Sequence, residues 1–123
     1  MIRVYLVEDQ GMIREMLQIV LETGGEIKVV GAAPDAEQAL IELESLDTDV
    51  VLMDVQLPGI NGVEAVRRLK ETGCDIPVIM LSAKGQQHDI AAGIEKGVFD
   101  YITKPFNIPN LAERIEKALA SIE

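Results

Sequence analysis

Val50-Val51-Leu52-Met53-Asp54-Val55-Gln56-Leu57-Pro58-Gly59-Ile60-Asn61-Gly62 decides the fold of this 123-residue chain. Four consecutive apolar residues describe a strand buried on both faces, and the run stops on the carboxylate of Asp54. Turn chemistry follows at once in Pro58-Gly59 and Asn61-Gly62. Asp54 therefore stands at the carboxyl end of a central strand, facing a loop, and in an open parallel sheet that edge is where ligands bind. Taken alone, Asp54 could equally be a cap or a solvated loop aspartate. Its reading depends on what ends the other strands.

Upstream, Val4-Tyr5-Leu6-Val7 is a short apolar run that stops at Glu8-Asp9, and it reads as the first strand. Ile13, Met16, Leu17, Val20 and Leu21 then recur at helical spacing until Gly24-Gly25. Lys28 to Ala33 supplies a second strand, and Ala36, Ala39, Leu40, Leu43 and Leu46 a second helical stripe. Downstream of the central strand, a helix is predicted from Val63 to Glu71, with Val63, Val66 and Leu69 inward and Arg67, Arg68 and Lys70 outward. Val78 to Leu81 is a fourth strand ending at Ser82. A weak helix follows, roughly Gln86 to Lys96, whose Gly93 and alanines bury little. Asp100 to Thr103 is the fifth strand, closed by Lys104-Pro105, and Ile108, Leu111, Ile115, Leu119 and Ile122 mark the last helix.

Strands alternating with helices throughout residues 1–123 imply one α/β domain, a parallel sheet covered on both faces, because each crossover is right-handed. No repeat, linker or low-complexity segment interrupts it. For five strands the common doubly wound order is 2-1-3-4-5, with its switch point between strands one and three. Glu8, Asp9 and Asp54 then meet in one crevice.

Composition narrows the chemistry. The 21 acidic residues against 11 basic ones give a formal charge of -10, a sign that repels phosphate backbones and anionic lipid, so no direct nucleic-acid or membrane binding is expected. No apolar stretch approaches the ~20 residues needed to span a bilayer, and the N-terminus lacks the apolar core of a signal peptide, so a cytoplasmic location is expected. Cys74 has no partner for an internal disulfide and reads as a half-buried thiol without a role. One cysteine and one histidine make no zinc site.

Three gathered carboxylates repel one another unless a cation joins them or their pKa values rise. An oxygen-only set suits Mg²⁺, which takes one or two carboxylates and keeps its remaining positions for water and phosphate oxygens. The other strand ends add the hydroxyl of Ser82 and the ammonium of Lys104. Together these groups suit a phosphoryl group on Asp54, since a carboxylate can form an aspartyl-phosphate and phosphoryl transfer needs positioning and charge neutralisation above all. Each residue also has a plain structural reading: Glu8-Asp9 and Ser82 as helix caps, Lys104 as a surface residue before a turn proline. Five such coincidences at strand ends are required for all of those readings to hold at once.

The set Glu8-Asp9, Asp54 with Leu57-Pro58-Gly59 and Asn61-Gly62, Ser82-Ala83, Tyr101 and Lys104-Pro105-Phe106 resembles the receiver domain of bacterial two-component response regulators nearly end to end. The resemblance implies a flavodoxin-like fold with five helices. It also implies a signalling switch rather than an enzyme acting on separate substrates, one that catalyses only its own phosphorylation and slow autodephosphorylation. By the same resemblance, Asp54 accepts phosphate from a sensor histidine kinase or phosphotransfer protein. Asp9, Asp54 and the backbone carbonyl of Gln56 hold Mg²⁺, with Glu8 acting through water. Ser82 and Lys104 contact the phosphoryl oxygens, Tyr101 changes rotamer as the output, and Lys104-Pro105 is a cis peptide. Gln56 and Lys84 flank the path of the hydrolytic water. The surface expected to change comprises the fourth helix, fifth strand and fifth helix. There Asp100 and Arg114 match charges that bridge a dimer in one subfamily, making a homodimer on phosphorylation a candidate. Glu8, where Asp is also frequent, and Ser82, where Thr is commoner, are mild departures.

Competing readings leave marks that are missing here. A haloacid dehalogenase-type phosphatase needs a second acid two residues after the nucleophile, where this chain has Gln56. The glycine-rich loops of Walker NTPases and dinucleotide binders are absent. The runner-up is a pseudo-receiver that binds protein and is never phosphorylated, although Glu8, Asp9, Asp54, Ser82 and Lys104 are all present. Whether an output domain or a separate effector protein lies downstream is left open by the sequence.

Overall fold

The structure, a computed structural model, describes residues 1–82, 98–103 and 107–121. Its elements are β1 (Ile2–Val7), α1 (Gly11–Thr23), β2 (Ile27–Ala33), α2 (Ala36–Leu43), β3 (Val50–Asp54), α3 (Gly62–Glu71), β4 (Val78–Ser82), β5 (Asp100–Thr103) and a C-terminal helix (Ile108–Ala120). All strand pairs are parallel, in the order β2-β1-β3-β4-β5. This is the doubly wound sheet expected from the alternation, with four helices among the described residues. The helix predicted near Gln86 to Lys96 lies outside them, as do Lys84, Lys104, Pro105, Phe106 and Ile122.

The apolar runs read as strands because both faces of the sheet are covered. Tyr5, Val7, Val51, Met53, Val78 and Met80 point to one face, where α2 and α3 bring Ala36, Ala39, Leu43, Ala65, Val66 and Leu69. Their alternate neighbours Val4, Leu6, Val50, Leu52, Ile79 and Leu81 point to the other, against Leu17 and Leu21 of α1 and Leu111, Ile115 and Ala118 of the C-terminal helix. Each large side chain so buried contributes roughly 1.5–3 kcal/mol, and β3 is buried at all five positions. The central strand is thereby the most constrained element of the sheet.

Helix starts follow side-chain chemistry. Asp35, Asn61 and Asn107 each accept a backbone N–H three residues on, at 2.8, 2.9 and 2.7 Å. Gln10, at the start of α1, makes no such bond. Two helical stripes differ from expectation. Met16 is 48% exposed, because the line through Leu17 and Leu21 faces the sheet and Met16 lies about 100° to one side of it. α2 stops at Leu43, so Leu46 reaches the core from the connection instead.

Two glycines accommodate close approaches on the α2/α3 face. A Cβ on Gly31 would meet the Tyr5 ring at 2.7 Å, beside the register shift between Val4 and Tyr5. The buried Tyr5 hydroxyl donates to Glu42 Oε1 at 2.7 Å, and burial together with that carboxylate pushes the phenol pKa far up. Gly62, the first residue of α3, donates its N–H to the carbonyl of Val55 at 2.8 Å. A Cβ there would stand 2.3 Å from the Asp54 carbonyl oxygen and 2.6 Å from Met80 Cε.

Alanine at position 62 ought to gain about 1 kcal/mol of helix propensity, but a backbone oxygen cannot yield as a flexible side chain does. Gly62→Ala is therefore expected to lower stability by about 1–3 kcal/mol and the melting temperature by several degrees. An unchanged melting curve would show that α3 can move away from β3 without penalty.

Candidate functional site

The site follows from register. Val7 of β1 pairs with Met53 of β3, so Glu8 and Asp54 emerge side by side at the carboxyl edge of the two strands that flank the switch point. Glu8 is anchored on its other side by its N–H to the Ala33 carbonyl at 3.1 Å, at the end of β2. Asp54 pairs with Leu81 on β4, and Ser82 follows directly. One sheet edge thus receives a residue from each of three adjacent strands.

Glu8, Asp9 and Asp54 each offer a carboxylate oxygen, and all three atoms lie within 4.8 Å of one another. Glu8 and Asp54 are buried, at 2% and 5% exposure, whereas Asp9 is exposed. The separation fits one hard cation, since opposing oxygens around an octahedral Mg²⁺ stand about 4.1 Å apart. A neutral ligand would leave the mutual repulsion of the three groups unrelieved. Glu8 Oε1 also accepts the Gln10 N–H at 3.2 Å, which ties its carboxylate to the β1–α1 loop.

Ser82 is 1% exposed, and its Oγ has no hydrogen-bond partner among the described residues. A buried hydroxyl left so is unusual, because the lost solvation is repaid only by a bond. Gln56 is exposed in the β3–α3 loop. Tyr101 lies on β5 and is 38% exposed. Lys84 and Lys104, assigned to the same edge from the sequence, are outside the described residues. Asp100 and Arg114, matched to a dimer-bridging pair, bond to each other within the chain at 2.6 Å.

Two residues at the site, Arg14 and Glu37, escaped the sequence reading, and Gly62 was read only as part of a turn. Arg14 donates from Nη1 to the backbone carbonyl of Glu8 at 2.8 Å. Gly62 approaches the Asp54 carbonyl as described above. Glu37 of α2 meets the β3–α3 loop: its carboxylate accepts the Ile60 N–H at 3.4 Å and occupies the space beside Gly59, whose φ is +78°. The Pro58-Gly59 pair signalled a turn, but no periodicity points from α2 to that loop.

Comparison with known proteins agrees with this geometry. The model of the response regulator receiver domain matches residues 4–116. The phosphate regulon transcriptional regulatory protein PhoB of Escherichia coli (strain K12) is 40% identical over 122 residues, covering 98% of this chain and 52% of that protein. The transcriptional regulatory protein CseB of Streptomyces coelicolor is 41% identical over 116 residues, 94% of this chain and 48% of that one. The chain thus spans about half the length of these relatives. A solved receiver domain of a Francisella response regulator superposes with a TM-score of 0.90 at 27% identity, covering 100% of both chains. No helix among the described residues is long and apolar enough to cross a membrane. A sheet of order 2-1-3-4-5 with acids gathered at its switch point, matched to that family over most of its length, belongs to the response regulator receiver domains of two-component systems.

Proposed function

We propose that this domain is a phosphorylation-dependent switch whose phosphoacceptor is Asp54. The observation that carries the reading is the buried Asp54 carboxylate, gathered with Glu8 and Asp9 within 4.8 Å, with buried Ser82 at the end of the neighbouring strand. The donor is a phosphohistidine on a sensor kinase or phosphotransfer protein. An Asp54 carboxylate oxygen forms the new O–P bond as the P–N bond breaks, and the donor imidazole keeps the electron pair and is reprotonated from solvent.

Asp9, Asp54 and the Gln56 backbone carbonyl would hold Mg²⁺, with Glu8 acting through a water. When bound, the cation supplies neutralising charge for the carboxylates and the arriving phosphoryl oxygens. The chain's own groups do the remainder. Lys104 pairs with a phosphoryl oxygen, and Ser82 donates its hydroxyl to another. Charge-assisted contacts of this kind contribute roughly 1.5–3 kcal/mol each. As Ser82 moves toward the phosphoryl group, the Tyr101 ring, half-exposed on β5, turns inward. The surface made by the segment near Gln86 to Lys96, β5 and the C-terminal helix changes with it, and that surface addresses the effector domain or protein. Gln56 would orient the hydrolytic water and Lys84 would obstruct its approach, so autodephosphorylation is expected to be slower than in variants with a small or acidic residue at position 84. Dimerisation on this surface would exchange the Asp100–Arg114 pair within the chain for pairs between chains. Sedimentation of the beryllofluoride-treated protein tests it, a monomer at tens of micromolar ruling it out.

With a small-molecule phosphodonor and Mg²⁺, wild type is expected to incorporate phosphate and Asp54→Asn, a nearly isosteric change, to incorporate none while remaining folded. Undiminished labelling of Asp54→Asn would remove Asp54 from the role, and an unlabelled wild type would favour a protein-binding pseudo-receiver. In the same assay Lys84→Ala is expected to lose its phosphoryl group faster than wild type. Slower decay would show that Lys84 assists hydrolysis.

A further inference from the structure

Asp9 is the exposed member of an otherwise buried carboxylate cluster, and it sits on a loop with a weak anchor. α1 begins at Gly11 without a side-chain cap on Gln10 and without an acidic residue in its first turn. A helix start of this kind frays more readily than those capped by Asp35 or Asn61. Yet the cluster requires Asp9 to stay within 4.8 Å of Glu8 and Asp54 against their mutual repulsion.

Arg14 supplies what the cap does not. Side chains on a helix lean toward its N-terminus, and the half-buried guanidinium of Arg14 lies back along the first turn, with Nη2 3.5 Å from the Cβ position of Gly11. Its Nη1 donates to the Glu8 carbonyl at 2.8 Å. That carbonyl belongs to the peptide joining Glu8 to Asp9, so the bond fixes the plane from which the Asp9 side chain departs. The Gln10 N–H, bonded to Glu8 Oε1 at 3.2 Å, holds the following peptide. We propose that Arg14 is a positioning residue, holding the Glu8–Asp9 peptide so that the Asp9 carboxylate stays in the cluster. Its bearing on a cation rests on the reading of the cluster as a Mg²⁺ site.

The choice of arginine gives the proposal a distinctive sign. Arg14 brings a positive charge to the backbone of the loop that carries Glu8 and Asp9, so by charge alone its removal would tighten Mg²⁺ binding. By positioning, removal weakens binding, because partners that orient ligands set affinity as the ligands do. The two effects are opposed.

The test titrates Mg²⁺ alone into wild type, Arg14→Ala and Arg14→Lys, followed by the amide resonances of Asp9 and Gln10. Amide exchange is measured without metal, and melting curves serve as the control for folding. Arg14→Ala is expected to bind Mg²⁺ about tenfold more weakly, Arg14→Lys to recover part of the loss by restoring a donor, and the Asp9 and Gln10 amides of Arg14→Ala to exchange faster even in metal-free protein. Tighter binding by Arg14→Ala, or unchanged affinity and exchange with only a lowered melting temperature, would overturn the proposal. Should wild type fail to bind Mg²⁺, the cation reading falls by itself. Exchange in metal-free protein then decides for Arg14, and unchanged rates would overturn its role.

Discussion

Mutual repulsion among Glu8, Asp9 and Asp54 is the constraint on which the site depends. Their carboxylate oxygens lie within 4.8 Å of one another, two of them from buried residues. The rest of the sheet holds them there. β3, buried at every position, cannot shift its register without exposing core residues on both faces, and β1 is paired along both its edges. The carboxylates stay together because the apolar strands behind them have no alternative arrangement. A cation or a change of charge at that edge would alter the interactions among the gathered carboxylates.

Asp54 and Ser82 end two neighbouring central strands, and β4 pairs in turn with β5, which carries Tyr101. On the opposite side of the sheet edge, Gly62 seats α3 against the Asp54 carbonyl and Glu37 ties α2 to the β3–α3 loop. These contacts tie one side of the site to α2 and α3. A two-state shift of the other side requires several kcal/mol of differential interaction, a scale that a few charge-assisted contacts can reach.

Much of this was legible in the sequence, for identifiable reasons. Strands buried on both faces announce themselves as unbroken apolar runs, and turn residues after Asp54 fixed its place at a strand end. Strand order followed from the alternation of elements, and with it the meeting of Glu8, Asp9 and Asp54. Periodicity served less well where side chains sit at the margin of a face, as at Met16, or reach the core from a connection, as at Leu46. It was silent on Arg14, Glu37 and Gly62, whose roles come from one bond to a backbone carbonyl, one contact between a helix and a loop, and the absence of one methyl group. No pattern of residue types encodes such single contacts.

The proposed switch rests on the reading of the carboxylate cluster as a Mg²⁺ site. Its most direct test is a pair of thermal melts of the wild-type protein, one with millimolar Mg²⁺ and one with chelator, at matched ionic strength. A ligand that binds only the folded site stabilises by mass action, about 1.4 kcal/mol at ten times its dissociation constant, so the melting temperature should rise by several degrees in Mg²⁺. Melts that superimpose would contradict that reading.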